Sequence, residues 1–437
     1  MNKKSSPGSR QQLTGKLQAV NLCEKYLNKG IVSFAFFQKW KDRDAGIDLP
    51  FIFSFQPFNT KKMSNNKLYL IAILLVSAFT LNAQDQLSAE VTKVTTEKEK
   101  VEKTTAVESS SETPAEEEEE EGTKFVLSGS VDAYFRSNLN GPNDATEYGL
   151  VAPATSFANL PGFSLGMINL VGSVEGEKAG MVADLVFGPR GSDAVFASPL
   201  YSNSAQIVNQ LYAYWNMSDM VTVTLGNFNT FLGYEVISPT ANFNYSTSYM
   251  FSYGPFSHTG LKVDITTESG LSFMAGLLNP TDITEFNPTG DYFFGAQVGY
   301  GGFFLNGLFG EDYSQVDLTG GIDVTEDLYL GVNATLTDTG NDTGFSGAAL
   351  YAQLATGENF TLGARAEYFV DKQTVFGDFV EGVNAVDFTL TGNYTVGDLT
   401  IIPELRLDNT SEDVFLDTDG AASGSLASFL IAFVYSF

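Results

Sequence analysis

Apolar and polar residues alternate with a period of two from Phe125 to the end of the chain. In the first segment Phe125, Leu127 and Val131 alternate with Ser130 and Asp132. Repetition of this pattern over segments of about ten residues is typical of strands with one apolar and one polar face. Sixteen such segments are recognisable, near 125–136, 163–175, 179–187, 206–217, 220–229, 258–266, 270–278, 292–300, 302–310, 314–324, 327–336, 345–355, 359–369, 384–394, 398–407 and 427–437.

The connections between these segments alternate in length. Short turns, such as those at 175–178, 301–302 and 396–398, are followed by longer loops that are mostly acidic and rich in Gly, Asn and Thr. Short turns at one end and long loops at the other are typical of transmembrane barrels, and only a closed barrel lets strands pair every backbone group in a bilayer. The fold predicted for 125–437 is an all-β, antiparallel, sixteen-stranded outer-membrane barrel that contacts lipid.

The last segment carries aromatic and aliphatic residues on one face up to the final residue, Phe437. An aromatic C-terminal residue that ends an alternating strand resembles the signal read by the outer-membrane barrel assembly machinery. The resemblance implies that machinery as a partner.

The first 124 residues lack this alternation. Residues 1–62 show no sustained period, and we interpret them as an upstream extension ahead of the true start at Met63. A charged start, a short apolar core and Ala83 predict a signal peptide over 63–83. Residues 84–124, rich in Lys, Glu, Thr and Ser, predict a disordered acidic periplasmic linker.

Composition and charge narrow the function. The chain has 36 Phe and 19 Tyr but one Cys, which excludes an internal disulfide framework and a Cys-ligated metal cluster. The formal net charge is −28, and Phe125–Phe437 contains 35 acidic and seven basic residues. Nucleic-acid binding needs a clustered basic surface, so nucleic acid is excluded as a partner.

Several sequence segments resemble those of the OmpL-like family of β-barrel porins. They are Leu-Gly-Asn-Phe-Asn-Thr-Phe-Leu-Gly-Tyr-Glu at 225–235, Ala-Asn-Phe-Asn-Tyr-Ser-Thr-Ser-Tyr-Met-Phe at 241–251 and Gly-Pro-Phe-Ser-His-Thr-Gly at 254–260. Gly-Ser-Val-Asp-Ala-Tyr-Phe at 129–135 and Gln-Leu-Tyr-Ala-Tyr-Trp at 210–215 also match. The resemblance covers most of 125–437, with the specific words in its first half. It implies an outer-membrane pore, with no catalytic residues and no defined substrate.

The loop over 230–257 is the longest in the predicted barrel and is rich in aromatic residues. If these aromatic residues were exposed on an outer loop, they would form an apolar patch. The patch would be covered if the loop folded into the barrel as a constriction. Packing of the loop on its neighbours or on another protomer remains an alternative. The candidate constriction residues are Phe231, Tyr234, Glu235, Tyr245, Tyr249 and His258. His258, the single histidine, is expected to bond the loop backbone rather than to act in catalysis.

Charged residues on the polar phase of the strands are expected to face the lumen, because Lys or Arg at the lipid-facing midplane costs about 2–4 kcal/mol. Opposing charges across a pore would bias ion selection, whereas pairing between neighbouring strands would not. No metal ion or cofactor is expected. The candidate lumen-facing charged residues are Asp132, Arg136, Asp184, Lys262, Asp264, Arg365, Glu367, Asp387, Glu404 and Arg406.

These observations favour a non-enzymatic porin for passive diffusion of small hydrophilic solutes or ions, weakly cation-preferring and acting alone or as a homotrimer. The alternative is a non-conducting barrel with a structural or adhesive role through its external loops. A lumen lined by Gly, Thr, Ser, Asn and charged residues favours the pore. Bulky inward residues such as Tyr134, Tyr212, Tyr214 and Phe304 favour the alternative.

Overall fold

The computed structural model describes residues 123–198, 203–372 and 382–437. The interpretations of residues 1–62, the signal peptide at 63–83 and nearly all of the acidic linker concern residues outside these ranges. Among the described residues, no helix is long and apolar enough to cross a membrane.

Sixteen antiparallel strands form one closed barrel, as the alternation predicted. The seam is formed by the first and last strands, with Ser130 paired to Ser436 and Asn138 to Ser428. The barrel strands are β1 (Lys124–Asn138), β2 (Gly162–Glu175), β3 (Ala179–Phe187), β4 (Val208–Ser218), β5 (Val221–Asn229), β6 (Ser257–Thr266), β7 (Ser272–Leu278), β8 (Phe293–Tyr300), β9 (Phe303–Phe309), β10 (Ser314–Asp323), β11 (Leu328–Asp338), β12 (Gly344–Gly357), β13 (Phe360–Lys372), β14 (Asn384–Val396), β15 (Leu399–Thr410) and β18 (Ser425–Ser436).

The remaining elements lie in the loops. A two-stranded sheet of β16 (Phe415–Leu416) and β17 (Ala422–Ser423) precedes β18. Helix α1 (Pro189–Ala194) and a 3-10 helix (Asn203–Ile207) follow β3, and α2 (Tyr249–Tyr253) lies between β5 and β6.

Burial separates the two faces of each strand. On β1, Val131 is 46% exposed on the outer face, whereas its neighbour Asp132 is 4% exposed and points inward. The same contrast separates Phe388 from the inward Asp387 on β14. The charged residues therefore lie inside the barrel, and an apolar surface faces outward.

Aromatic side chains form a girdle around the barrel at the end that carries the short turns. All are exposed, and they lie at the ends of strands that are far apart in sequence. Aromatic girdles of this kind occur where a transmembrane barrel meets the membrane–water interface. The girdle comprises Phe125, Trp215, Tyr300, Phe303, Phe360, Tyr394, Tyr435 and Phe437.

The predicted alternation of short turns and long loops is less strict than expected. Loop 1 (139–161), loop 2 (188–207), loop 3 (230–256) and loop 4 (279–292) are long. The connections at 310–313 and 339–343, on the same end of the barrel, are no longer than the turn at 267–271 on the other end. The asymmetry between the ends is therefore interrupted at these two connections, whereas the connection at 411–424 is as long as loop 4 and carries β16 and β17.

Candidate functional site

Loop 3 leaves the sheet between β5 and β6 and enters the barrel. β6 lies seven or eight strands around the barrel from β13 and β14, so these strands face each other across the lumen. Loop 3 nevertheless bonds directly to both of them, as described below. It therefore spans the interior from one wall to the opposite one.

The central anchor of loop 3 is the buried guanidinium of Arg365 on β13. Its Nη1 donates to Glu235 Oε1 of loop 3 at 2.7 Å and to the carbonyl oxygen of Ser246 at 2.7 Å. Its Nε donates to Asp387 Oδ2 on β14 at 2.7 Å, and Nη2 donates to Thr389 Oγ1 at 3.1 Å. One fully buried arginine thus joins two barrel strands to two separate parts of the loop.

A second buried arginine, Arg406 on β15, makes a similar set of contacts two strands farther around the wall. It donates to Asp408 through Nε and Nη2, the latter at 2.7 Å, and its Nη1 donates to the carbonyl oxygen of Thr247 at 2.6 Å. Asp408 also accepts from the Tyr249 hydroxyl at 3.0 Å. Arg406 lies 3.6 Å from Asp387, so the two arginines and their carboxylates form one network.

Carboxylates also accept the free backbone N–H groups at the start of α2. Glu367 on β13 accepts from the backbone nitrogens of Tyr249 and Met250, both at 2.8 Å. Glu235 accepts from the backbone nitrogen of Ser248 at 2.7 Å. The first N–H groups of a helix have no partner within the helix, so acidic residues here satisfy donors that would otherwise be buried and unpaired.

The tip of loop 3 reaches the strands at the barrel seam. Glu404 on β15 accepts from the backbone nitrogens of Tyr245 at 2.9 Å and Ser246 at 3.1 Å. The Tyr245 hydroxyl donates to Asp132 on β1. Asp132 also accepts from the backbone nitrogen of Met167 at 3.0 Å on β2. The loop is therefore fixed by charge-assisted hydrogen bonds on β1, β13 and β15.

The start of loop 3 packs along β10 to β12. Gly233, with φ of 84°, donates its N–H to Asp317 on β10 at 2.9 Å. The ring of Tyr234 stacks on that of Tyr351 on β12, with centroids 4.1 Å apart. The positive φ permits the turn that directs the adjacent tyrosine onto this wall.

Loop 2 covers loop 3 through Arg190 of α1, a residue that the sequence did not single out. Arg190 is buried and donates to the carbonyl oxygens of Ile237 at 2.9 Å and Tyr245 at 3.2 Å. Its guanidinium lies 4.4 Å from the ring centre of Phe157 in loop 1. The sequence did offer a sign that Arg190 matters, because only seven basic residues follow Phe125 and Arg190 lies in a loop.

The wall formed by β2 to β4 has a different chemistry. Asp184 on β3 accepts from the amides of Asn209 at 2.7 Å and Gln210 at 2.9 Å, and also from Asn169. Its charge is solvated by amide groups, with no ion pair among the described residues.

Lys262 and Asp264 on β6 are the two candidate lumen charges that retain substantial exposure. They form an ion pair at 2.8 Å, with side chains 23% and 35% exposed. The Lys262 ammonium also lies 5.2 Å from the ring centre of Phe228. The other eight candidates are buried.

His258 lies on β6, within the predicted strand segment 258–266 and directly after the end of loop 3. Its Nε2 is 2.9 Å from the Thr230 hydroxyl, and its ring packs 4.9 Å from that of Phe231. The expected bond to the loop backbone is thus replaced by a bond to a side chain. Residues 230 and 258 flank the loop, so the contact fastens its two ends together.

The interior therefore brings together Glu235, Tyr245 and Tyr249 of loop 3 with Arg365, Glu367, Asp387, Glu404 and Arg406. Asp184, Lys262 and Asp264 lie apart from this cluster, and Tyr234 and Phe231 pack on other walls. Asp408 was missed, although it continues the inward alternation of Glu404 and Arg406.

The comparison with protein families agrees with the barrel. The family model described as "Putative beta-barrel porin-2, OmpL-like" matches residues 124–437. No curated protein matches the chain significantly in sequence.

Solved structures of similar shape include OmpT of Vibrio cholerae in its trimer form, with 10% identity and a TM-score of 0.45 over 72% of this chain and 99% of that one. Pseudomonas putida OprB has 11% identity and a TM-score of 0.48 over 72% and 94% of the two chains. Salmonella typhi OmpF, in complex with daunomycin, has 10% identity and a TM-score of 0.46 over 72% and 98%.

Proposed function

Because the chain belongs to the OmpL-like β-barrel porin-2 family, we propose that it conducts small hydrophilic solutes and ions by passive diffusion through its barrel. The protein is a porin-like barrel of the outer membrane. In this proposal loop 3 is the constriction, and solutes pass between it and the wall that carries β4 to β6.

The observation that carries the proposal is the anchoring of loop 3 by buried charges, which is densest on β13 to β15. Buried ion pairs and hydrogen bonds hold it against β13 to β15, with Arg365 at 0% exposure. On the opposite wall Lys262 and Asp264 remain partly exposed. A loop that is rigid on one side and faces solvated charges on the other has the arrangement that a selective constriction needs.

We propose a weak preference for cations. Nine buried acidic side chains and four buried arginines are found in the described part of the barrel. The exposed pair of Lys262 and Asp264 is neutral in sum. The excess of fixed negative charge favours entry of cations and disfavours that of anions.

Single-channel conductance tests both parts of the proposal. Protein expressed from Met63 would be reconstituted in planar bilayers, and the reversal potential measured across a salt gradient. Stable conductance steps with a reversal potential of cation-selective sign are expected. Absence of conductance from protein that is verified as a heat-modifiable folded barrel would contradict the porin assignment.

That negative result would favour a non-conducting structural or adhesive barrel. Its supporting observation is the apolar packing of the interior, where Leu430 and Val434 of β18 cluster with Tyr134, Ala158 and Tyr245. In that case the external loops would be the functional surface.

We also propose that the protein is exported with cleavage of its signal peptide after Ala83, and that residues 84–124 form a periplasmic spacer. Mass spectrometry of the mature protein should then give Gln84 as its first residue. A homotrimer and assembly by the barrel assembly machinery belong to the same proposal. Light scattering in detergent would distinguish a trimer from a monomer.

A further inference from the structure

Aromatic side chains lie over glycines near the strand ends that join the short turns. A Cβ atom on Gly299 would lie 2.6 Å from the ring of Phe304, and one on Gly331 would lie 2.8 Å from the ring of Tyr234. Any larger residue at these positions would therefore displace the ring. The five such pairs, which we call the inner collar, are Tyr214 over Gly180, Phe304 over Gly299, Tyr329 over Gly321, Tyr234 over Gly331 and Phe243 over Gly363.

The glycines of the inner collar lie on the inner face of the barrel wall. Gly331 has the inward phase of the buried Asn333 on β11, and Gly363 has that of the buried Arg365 on β13. All five aromatic residues of the collar are partly exposed. Because this face of the wall borders the interior, the exposed part of each ring borders the lumen.

A glycine beneath an aromatic ring lets the ring lie close to the wall. Tyr214 and Phe304 are inward residues whose size favoured a non-conducting barrel, but both occupy space that a side chain of the neighbouring strand would otherwise take. The face of an aromatic ring is negative and its edge is positive, so an open face attracts the weakly positive hydrogens of C–H groups. The collar therefore offers apolar faces to a solute in the lumen.

Polar groups accompany these rings on the inner face. Asn216 and Thr222 are partly exposed and are joined by a hydrogen bond of 3.0 Å. Thr222 is paired in the sheet with Asp264, whose charge is balanced by Lys262 at 2.8 Å. This part of the lumen thus combines aromatic faces, hydrogen-bonding groups and a charge pair that is neutral in sum.

A solute that suits this surface must be hydrophilic enough to cross the lumen and must also have an apolar face. The ring of a neutral sugar meets both conditions, since C–H groups cover its faces and hydroxyl groups surround its rim. Sites that combine aromatic side chains with a few polar groups are typical of small-molecule binding. We propose that the inner collar binds neutral sugars by stacking their rings on Tyr214, Phe304 and Tyr329. The inference rests on the proposed porin function and narrows its solutes to saccharides.

The first test measures binding without conduction. The folded barrel, in a detergent without a sugar headgroup, would be titrated calorimetrically with a linear glucose oligosaccharide and separately with sorbitol. Sorbitol has the hydroxyl groups of glucose but no ring face. Saturable binding of the oligosaccharide alone is expected. Equal binding of the two compounds, or no binding of the oligosaccharide, would overturn the proposal.

Two adjacent aromatic residues supply a matched pair of variants. Phe304→Leu keeps an apolar side chain but removes the inward ring, and should raise the Kd of the oligosaccharide by roughly two- to tenfold. Phe303→Leu removes the neighbouring ring of the outer girdle, which faces away from the lumen, and should leave the Kd unchanged. An equal rise in both variants, or no rise in Phe304→Leu, would contradict sugar binding at the collar.

Planar bilayers separate this inference from the porin function itself. The oligosaccharide should interrupt the single-channel current, and the interruptions should be shorter in Phe304→Leu. A barrel that conducts but binds no sugar refutes the collar and leaves the porin function standing, whereas a barrel that binds sugar without conducting refutes the porin function alone. Tighter binding of tetramethylammonium than of the oligosaccharide would indicate a cation–π site and would overturn the assignment to sugars.

Discussion

Arg365 offers the sharpest test of how loop 3 is held. Arg365→Met keeps much of the volume of the side chain but removes its charge and all of its donors. Glu235, at 5% side-chain exposure, is then left as a buried carboxylate without a cation, and Asp387, at 0%, keeps only Arg406 at 3.6 Å. Removal of one partner from a buried ion pair costs about 3–5 kcal/mol.

That cost should fall mainly on the attachment of loop 3, because Glu235 and Ser246 are the loop partners of Arg365. With a tenfold change for each 1.4 kcal/mol, the attached loop should lose roughly two to four orders of magnitude in its equilibrium against a detached one. In planar bilayers the variant should show larger conductance steps with frequent transitions. Its unfolding midpoint in urea should be lower.

Two further variants complete this experiment. Lys372→Met removes an exposed cation from the loop end of the same strand and should leave both conductance and stability unchanged. The triple variant Glu235→Gln, Arg365→Met, Asp387→Asn removes the charges together and should recover most of the lost stability. If Arg365→Met alone behaves like Lys372→Met, the buried network does not hold the loop and the reasoning is wrong.

Three other predictions follow from single contacts. Lys262→Glu replaces the partly exposed cation that pairs with Asp264. The reversal potential in a salt gradient should therefore shift toward stronger cation selectivity. An unchanged potential would place these residues off the permeation path. Tyr245→Phe removes the hydrogen bond to the Asp132 carboxylate and should lower the free energy of unfolding by about 1.5–3 kcal/mol in urea titrations, while an effect near zero would show that the bond contributes nothing net. Burial raises the pKa of Asp282 in loop 4 to about 6, although backbone hydrogen bonds from residues 256 and 257 act to lower it. Between about pH 4 and 6 the folded state therefore binds a proton that the unfolded state has released, so the free energy of unfolding should fall as the pH rises through this window. Asp282→Asn should remove that part of the pH dependence, and its persistence would exclude Asp282 as the cause.

The sequence was sufficient for the barrel because its pattern is local. Alternation within a single strand, such as Val131 outside and Asp132 inside, already determines which face meets lipid. Sixteen repetitions of that local rule give the strand number. The same rule would have found Asp408, two residues beyond Arg406, had the last segment but one been extended to its end.

The partners of loop 3 could not be obtained in this way. Glu235 and Arg365 are 130 positions apart, and neither has a local pattern that indicates the other. Arg190 acts through backbone carbonyl groups, which the sequence does not distinguish. The inward residues Leu430 and Val434 are apolar, unlike the polar lumen that the sequence predicted, and they pack in one cluster with Tyr245 and Ala158.

The long separation between loop 3 and its anchors has a consequence for the order of folding. Loop 3 is synthesised before β6, but its bonds to Glu404 and Asp408 close over 159 positions of chain. Contacts of such separation form late, since the chain between them must first be ordered. During assembly, therefore, the early strands can pair with their neighbours while loop 3 remains untethered. The interior acquires its final shape only when the C-terminal strands arrive and the seam between β1 and β18 can close.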